Sequence, residues 1–237
     1  MSAVSFPGGT SVTRLTVYPD ACAADGLAGG TPHVHLASTE AYVVVGGAGE
    51  LHTLDPSGHR VTPLAEGSTV WFTPGTIHRA VNHGHLRVVV VMSNAGLPEA
   101  GDAVMTFPPS VLAEPDSYRE AVALPVPQRR ELAVAGFLRL AADPALLDGF
   151  YEQAVALVRP AVDGWRELWR STVEAETRRT EALLQALSGG DGSHLREAAQ
   201  YASPQSPAER PGMCGRLRTH DVLHPVALNG PSAGPAR

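Results

Sequence analysis

The chain contains no lysine: all 18 of its basic residues are arginine, set against 24 acidic ones for a formal charge of −6. With a pI near 5.9 and no basic stripe, nothing in it has the electrostatic footprint of a nucleic-acid-binding surface. We read no function into the missing lysine itself. Cysteine is scarce too. Cys22 and Cys214 stand far apart and outside any Cys-x-x-Cys spacing, so no disulfide framework is expected, and a reducing, cytoplasmic setting is the default. No apolar run approaches the length of a membrane span, and the opening MSAVSFPGGT lacks the basic and apolar regions of a signal peptide. Neither membrane insertion nor secretion is expected. Charge of either sign is sparse, at 18%, whereas 43% hydrophobic residues, 24 glycines and 20 prolines suit a β-rich domain with many turns. The 237 residues suffice to bury a core without disulfide support.

What is present begins as a succession of short alternating segments. Residues 11–18, SVTRLTVY, put Leu15 and Val17 on one face and Arg14, Thr16 and Tyr18 on the other. Further strands are expected over about 32–37, 40–46, 49–54, 60–64, 69–73, 78–82 and 86–93, with another over 103–107. Asp55-Pro56-Ser57-Gly58 reads as a hairpin tip, because proline presets φ and glycine accepts positive φ; His83-Gly84-His85 separates two strands in the same way. Short strands broken by such turns point to a small sandwich or barrel over residues 1–110.

Beyond that point the pattern changes. A linker with a short helix capped by Asp116 is expected over 111–127, followed by a helical region over 128–200. Its first helix, 128–142, buries Leu132, Phe137 and Leu140; its second starts at Asp143-Pro144; its third follows Pro160 and stops at Ser188-Gly189-Gly190. Trp165 and Trp169, spaced i, i+4, mark a packed helix face. A third helix this long is difficult to bury within one chain, so a homodimer is expected through it. The tail, 201–237, is rich in Pro, Gly and Ser and reads as partly disordered, with CGRLRTHDVLHPVAL as a possible added strand.

The residues that carry chemistry lie between His33 and Asn82. On a strand, His33 and His35 share a face, with Val34 on the other. Glu40 opens the next strand, and His78 follows a Pro-Gly turn. Three imidazoles and a carboxylate are donors that suit a first-row divalent cation, and burying all four without one would leave costly unpaired polar atoms. His59, His83, His85 and His194 read as ordinary hydrogen-bonded side chains, and Pro225 argues against a helical His220/His224 pair. Tyr42 lies two beyond Glu40 and shares its face, which puts its hydroxyl in the cavity as the candidate catalytic and substrate-binding group. His52, Trp71 and Thr73 are further candidates for a substrate pocket, whereas Arg79 directly follows a ligand and should point away. Gly47, Gly67 and Gly75 read as turn glycines and Asn82 as a structural residue that hydrogen-bonds its turn.

These two clusters resemble the paired signature of the cupin superfamily, G-x5-H-x-H-x3,4-E-x6-G and G-x5-P-x-G-x2-H-x3-N. His33, His35, Glu40 and Gly47 fit the first, with its leading glycine displaced; Gly67, Gly75, His78 and Asn82 fit the second, with the proline moved to Pro74. The resemblance covers about residues 10–107. It implies an α+β chain: an N-terminal double-stranded β-helix, a jelly-roll-type barrel with a metal in its mouth, followed by an α-helical C-terminal region. It also implies one divalent ion, Fe(II) favoured over Mn, Ni, Zn or Cu, held by His33, His35, Glu40 and His78. The activity implied is that of a metal-dependent enzyme on a small oxygenated organic molecule, an Fe(II) dioxygenase first. The alternatives are a redox-neutral isomerase or lyase, and a non-catalytic protein that binds or senses a metal or small molecule.

Overall fold

The computed structural model describes residues 6–22 and 24–228; expectations for residues 1–5 and for 229–237 lie outside the described residues. The N-terminal part is built from β1 (Ser11–Val17), β2 (His33–His35), β3 (Glu40–Asp55), β4 (Gly58–Ala65), β5 (Thr69–Phe72), β6 (Ile77–Met92) and β7 (Ala103–Met105). The helices follow: α1 (Pro109–Leu112), α2 (Pro115–Ala123), α3 (Val126–Ala142), α4 (Leu147–Val158), α5 (Val162–Trp169) and α6 (Ala175–Ser188). Four short strands close the chain, β8 (Tyr201–Ala202), β9 (Arg210–Pro211), β10 (Gly215–Thr219) and β11 (Val226–Ala227). Nine strands join one antiparallel sheet in the order β4-β3-β6-β1-β10-β9, with β5 on β3, β2 on β6 and β7 on β2; β8 and β11 pair separately. This is the expected jelly-roll-type barrel followed by a helical region.

Each pair of segments expected at 40–46 and 49–54, and at 78–82 and 86–93, is one long strand. β3 and β6 pair from Glu40↔Met92 to Leu54↔Ile77, with register shifts between Val44 and Gly49. The bulges need glycine: Gly47 has φ +76°, and a Cβ there would sit 2.2 Å from the His85 carbonyl oxygen. They also reverse the inside/outside alternation. Tyr42 and Val44 point into the barrel core with Leu15 and Val88, and beyond the bulge the odd-numbered Leu51 takes that place while Leu54 turns toward the helices. At the predicted hairpin tip Asp55 Oδ1 accepts from the Ser57 N–H at 2.7 Å, so that turn forms as read.

A second cluster joins barrel and helices. Val34, Leu54, Ile77 and Val104 on the outer barrel face pack with Phe107, Phe137, Leu140, Leu147 and Phe150. α3 lies so close that a Cβ on Gly136 would fall 1.8 Å from the Thr106 carbonyl oxygen, and Thr106 Oγ1 donates to the Ala133 carbonyl at 2.7 Å. Buried Arg130 of α3 donates to the carbonyls of Gly29 and Ala21 and lies over the Tyr18 ring, clamping the loop before β2.

Three helix ends differ from expectation. α2 begins with Pro115 in its first turn and has no side-chain cap; Asp116 lies inside that turn and pairs with Arg119. α3 starts at Val126, within the expected linker, because Pro127 is tolerated in a first helical turn. Asp143 accepts from the Ala145 N–H as expected, although the turn it caps is 3₁₀ before α4 begins. Trp165 is buried, its Nε1–H donating to the Ala100 carbonyl, whereas Trp169 is partly exposed. α6 buries none of its residues, and Leu184 and Leu187 on it are exposed. The tail forms β10, which adds to β1 over Thr13↔Thr219 to Val17↔Gly215 and so closes the barrel wall.

Candidate metal centre

His33 and His35 stand on β2, His78 at the start of β6 directly opposite His33, and Glu40 at the first residue of β3. All four are buried, and their ligand atoms lie within 4.8 Å of one another, so this cluster could hold a metal ion. The two histidines of β2 share a face as the strand period requires.

Each imidazole is fixed from behind. His33 Nδ1–H donates to the Thr31 carbonyl at 2.9 Å, His78 Nδ1–H to the Thr76 carbonyl at 3.1 Å, and His35 Nδ1–H to Asp102 Oδ1 at 2.6 Å. With Nδ1 committed as donor, the neutral ring keeps its lone pair on Nε2. His35 Nε2 and His78 Nε2 lie 3.3 and 3.0 Å from Glu40 Oε2. The closer pair is not aligned for a hydrogen bond: His78 Nε2 and Glu40 Oε2 are buried with no hydrogen-bond partner among the described residues. A buried nitrogen and a buried carboxylate oxygen left this way cost free energy unless a cation takes both, so the donors fit a divalent first-row ion.

The charges respond to that crowding. Burial, followed by the neighbouring His78 and His35, holds His33 well below its ordinary value, which keeps it neutral. For His35 burial acts downward, but the hydrogen bond to Asp102 and the adjacent Glu40 carboxylate raise it to about 10. Burial would raise Glu40; the closeness of His78 and the contact with His35 lower it far below the carboxylate range.

The cluster opens on a cavity of about 140 Å³ whose walls include Leu15, Val90, Met92, Met213 and Leu217. Tyr42 is fully buried beside it, its ring centroid 6.5 Å from that of His78, and its hydroxyl donates to Cys214 Sγ at 3.4 Å. Cys214, not Tyr42, lines the cavity. Burial, with Cys214 and Glu40 adding to it, holds the Tyr42 hydroxyl well above its ordinary value, and burial pushes the Cys214 thiol up to about 12.

The remaining expected pocket residues are not brought to the cluster. Trp71 is 70% exposed and Thr73 is exposed. His52, past the bulge, has its Nε2 3.0 Å from Glu50 and its ring against His59, which in turn packs on Phe137. Parity carried from Glu40 through the bulge sends it to the wrong face. Arg79 turns away, as expected, and its Nη1 pairs with Asp25 at 2.5 Å. Asn82 Oδ1 accepts from the Gly84 and Leu86 N–H groups, and Gly67 and Gly75 take positive φ in turns. Sequence reasoning missed Asp102, which no spacing ties to His35, and the tail residues around Cys214. It also missed Ser11 and Thr13, although they share the β1 face of Leu15 and Val17 and so were within reach of the alternation.

Residues 23–93 match the Cupin domain family, and this segment is a cupin domain. Several solved structures are similar. An uncharacterized conserved protein with a double-stranded β-helix domain from Klebsiella pneumoniae subsp. pneumoniae MGH 78578 is 21% identical, covering 38% of this chain and 74% of its own, with a TM-score of 0.28. A Cupin 2 conserved barrel domain protein from Salinispora arenicola CNS-205 is 20% identical over 40% and 71% of the two chains, with a TM-score of 0.29. A protein described as a predicted oxalate decarboxylase from Thermotoga maritima is 20% identical over 35% of this chain and 64% of its own, with a TM-score of 0.28. No curated protein matches the chain. No helix among the described residues is long and apolar enough to cross a membrane.

Proposed function

We propose that His33, His35, Glu40 and His78 bind one divalent metal ion, iron(II) before other first-row metals, and that the protein is a metal-dependent enzyme acting on a small oxygenated organic molecule, as a dioxygenase. The observation that carries this is the paired orphaning of His78 Nε2 and Glu40 Oε2 inside a ring of imidazoles whose outer nitrogens are all occupied. When bound, the ion supplies Lewis acidity and, as iron(II), electron transfer to dioxygen.

The chain's own residues define the rest. His33, His35 and His78 would hold the ion through Nε2, and Glu40 would lower the net charge of the centre. Leu15, Val90, Met92 and Leu217 exclude water from the space where a substrate would lie. Tyr42 keeps its hydroxyl proton, donates it to Cys214 Sγ and so holds that wall residue in place.

A redox-neutral reading, as isomerase or lyase, draws on one feature: the Cys214 thiol lines the cavity beside the cluster and is hydrogen-bonded from behind by the Tyr42 hydroxyl. Elemental analysis and EPR of anaerobically purified protein, then oxygen-uptake screening over phenols, thiols and diketones, separates the two. Oxygen consumption coupled to substrate loss supports the dioxygenase; turnover without oxygen supports the redox-neutral reading; a preparation that takes up no metal removes both.

A further inference from the structure

The cavity at the metal cluster adjoins a larger chamber of about 400 Å³ walled by Pro204–Pro207, His220–Leu223 and Gly96, and Glu99, Arg210 and Thr219 line both. These three residues form a neck. Whatever reaches the cluster by this route passes them.

The strand registers orient that neck. Arg210 on β9 pairs with Leu217 on β10, Leu217 with Leu15 on β1, and Leu15 with Val88 on β6. Directly paired residues project to one face of a sheet, and Leu15 and Val88 belong to the barrel core, so Arg210 is turned to the cavity side. The next row is Thr219, Thr13, Val90 and Tyr42, and the one after is Ser11, Met92 and Glu40. From neck to cluster the wall therefore passes from a guanidinium, through hydroxyls, to a ligand carboxylate.

One carboxylate, Glu99, and one guanidinium, Arg210, stand at the neck, and the outer chamber adds Asp221. Glu99 Oε2 accepts from the Gly96 N–H at 3.1 Å, and Asp221 in the outer chamber accepts from the His224 N–H and lies 3.1 Å from its imidazole. Neither acid pairs with Arg210. The Arg210 side chain, exposed and the one guanidinium lining either chamber, makes no hydrogen bond or ion pair among the described residues.

We propose that Arg210 is a specificity-determining residue that binds an anionic group, and that the substrate is a small organic acid carrying a carboxylate. The size agrees: about 140 Å³ lies below the roughly 300–1,000 Å³ of pockets for drug-sized ligands. A guanidinium suits a carboxylate because its paired N–H groups match the two oxygens. This inference rests on the metal-dependent reading of the cluster, whose three imidazoles and single carboxylate would leave a divalent ion with net positive charge.

The test is calorimetric titration of pyruvate, 2-hydroxybutyrate and their methyl esters into full-length protein of measured metal content. The variants are Arg210→Ala, Arg210→Lys and, as a control on the opposite face of β10, Arg216→Ala. The expected result is that at least one acid binds more than tenfold tighter than its ester, that Arg210→Ala removes this preference, that Arg210→Lys keeps part of it, and that Arg216→Ala keeps all of it. Equal binding of acid and ester, a preference that survives Arg210→Ala, or no binding of either acid at tens of millimolar would overturn the inference. An intact acid preference in protein that takes up no metal would instead strike the metal reading and leave the role of Arg210 standing.

Discussion

Asp102 shows how much one side chain outside the ligand set can decide. It is completely buried, and its Oδ1 takes the Nδ1–H of His35 at 2.6 Å, which fixes the ring and makes Nε2 a stronger donor. Asp102→Asn keeps the size and loses the charge, so the fold should persist while metal affinity falls by about 10- to 100-fold, the usual cost of removing such a partner. Competition with a chelator of known affinity measures it, and unchanged affinity would refute the positioning role. The same residue sets a pH dependence. In the metal-free protein His35 titrates at about 10, above its ordinary 6.5, so at neutral pH it carries a proton that an incoming cation must displace. Metal uptake should release a proton, and affinity should rise as pH climbs from 7 toward 10, which titration in buffers of different ionisation enthalpy would register. For the metal-free fold the sign is opposite: the stability from protonated His35 is complete below 6.5 and is lost as pH rises through about 10.

At the scale of elements, the bulged glycines of β3 are the sensitive point. A side chain at Gly47 meets the His85 carbonyl oxygen at 2.2 Å and an unfavourable positive φ, so Gly47→Val should destabilise by roughly 1–3 kcal/mol or more, read from urea unfolding. A stability equal to wild type would mean that the bulge is not needed. This element also marks where sequence reasoning stopped. The four clustered residues were legible in two ways: strand parity puts His33 and His35 on one face, and the resemblance to the paired cupin signature ties Glu40 and His78 to them. His52 was not, since alternation counted across Val44–Gly49 ignores the register shifts there. Trp71 and Thr73 were not, because an alternating strand does not say which of its faces is the inside. Asp102 and Cys214 reach the cluster only through tertiary pairing, Cys214 by way of a β10 strand set in a stretch rich in Pro, Gly and Ser.

Across the whole molecule, barrel and helices share a core rather than meeting at a seam. Val34, Leu54, Ile77 and Val104 are covered by Phe137, Leu140 and Phe150, while β10 returns from beyond the helices to wall the cavity. A chain cut after Leu124 would expose those barrel residues and lose Arg210, Cys214 and Leu217 together. It should aggregate or unfold at markedly lower temperature than the full chain; a soluble, metal-loaded barrel with unchanged thermal stability would show that the two parts are independent.

Whether four side chains grip one cation is read from metal stoichiometry on purified wild type, His35→Ala, His78→Ala and His59→Ala. Close to one ion per chain is expected in wild type and in His59→Ala, and occupancy below half in the other two. Equal occupancy in all four, or none in wild type after loading, would contradict the four-residue site.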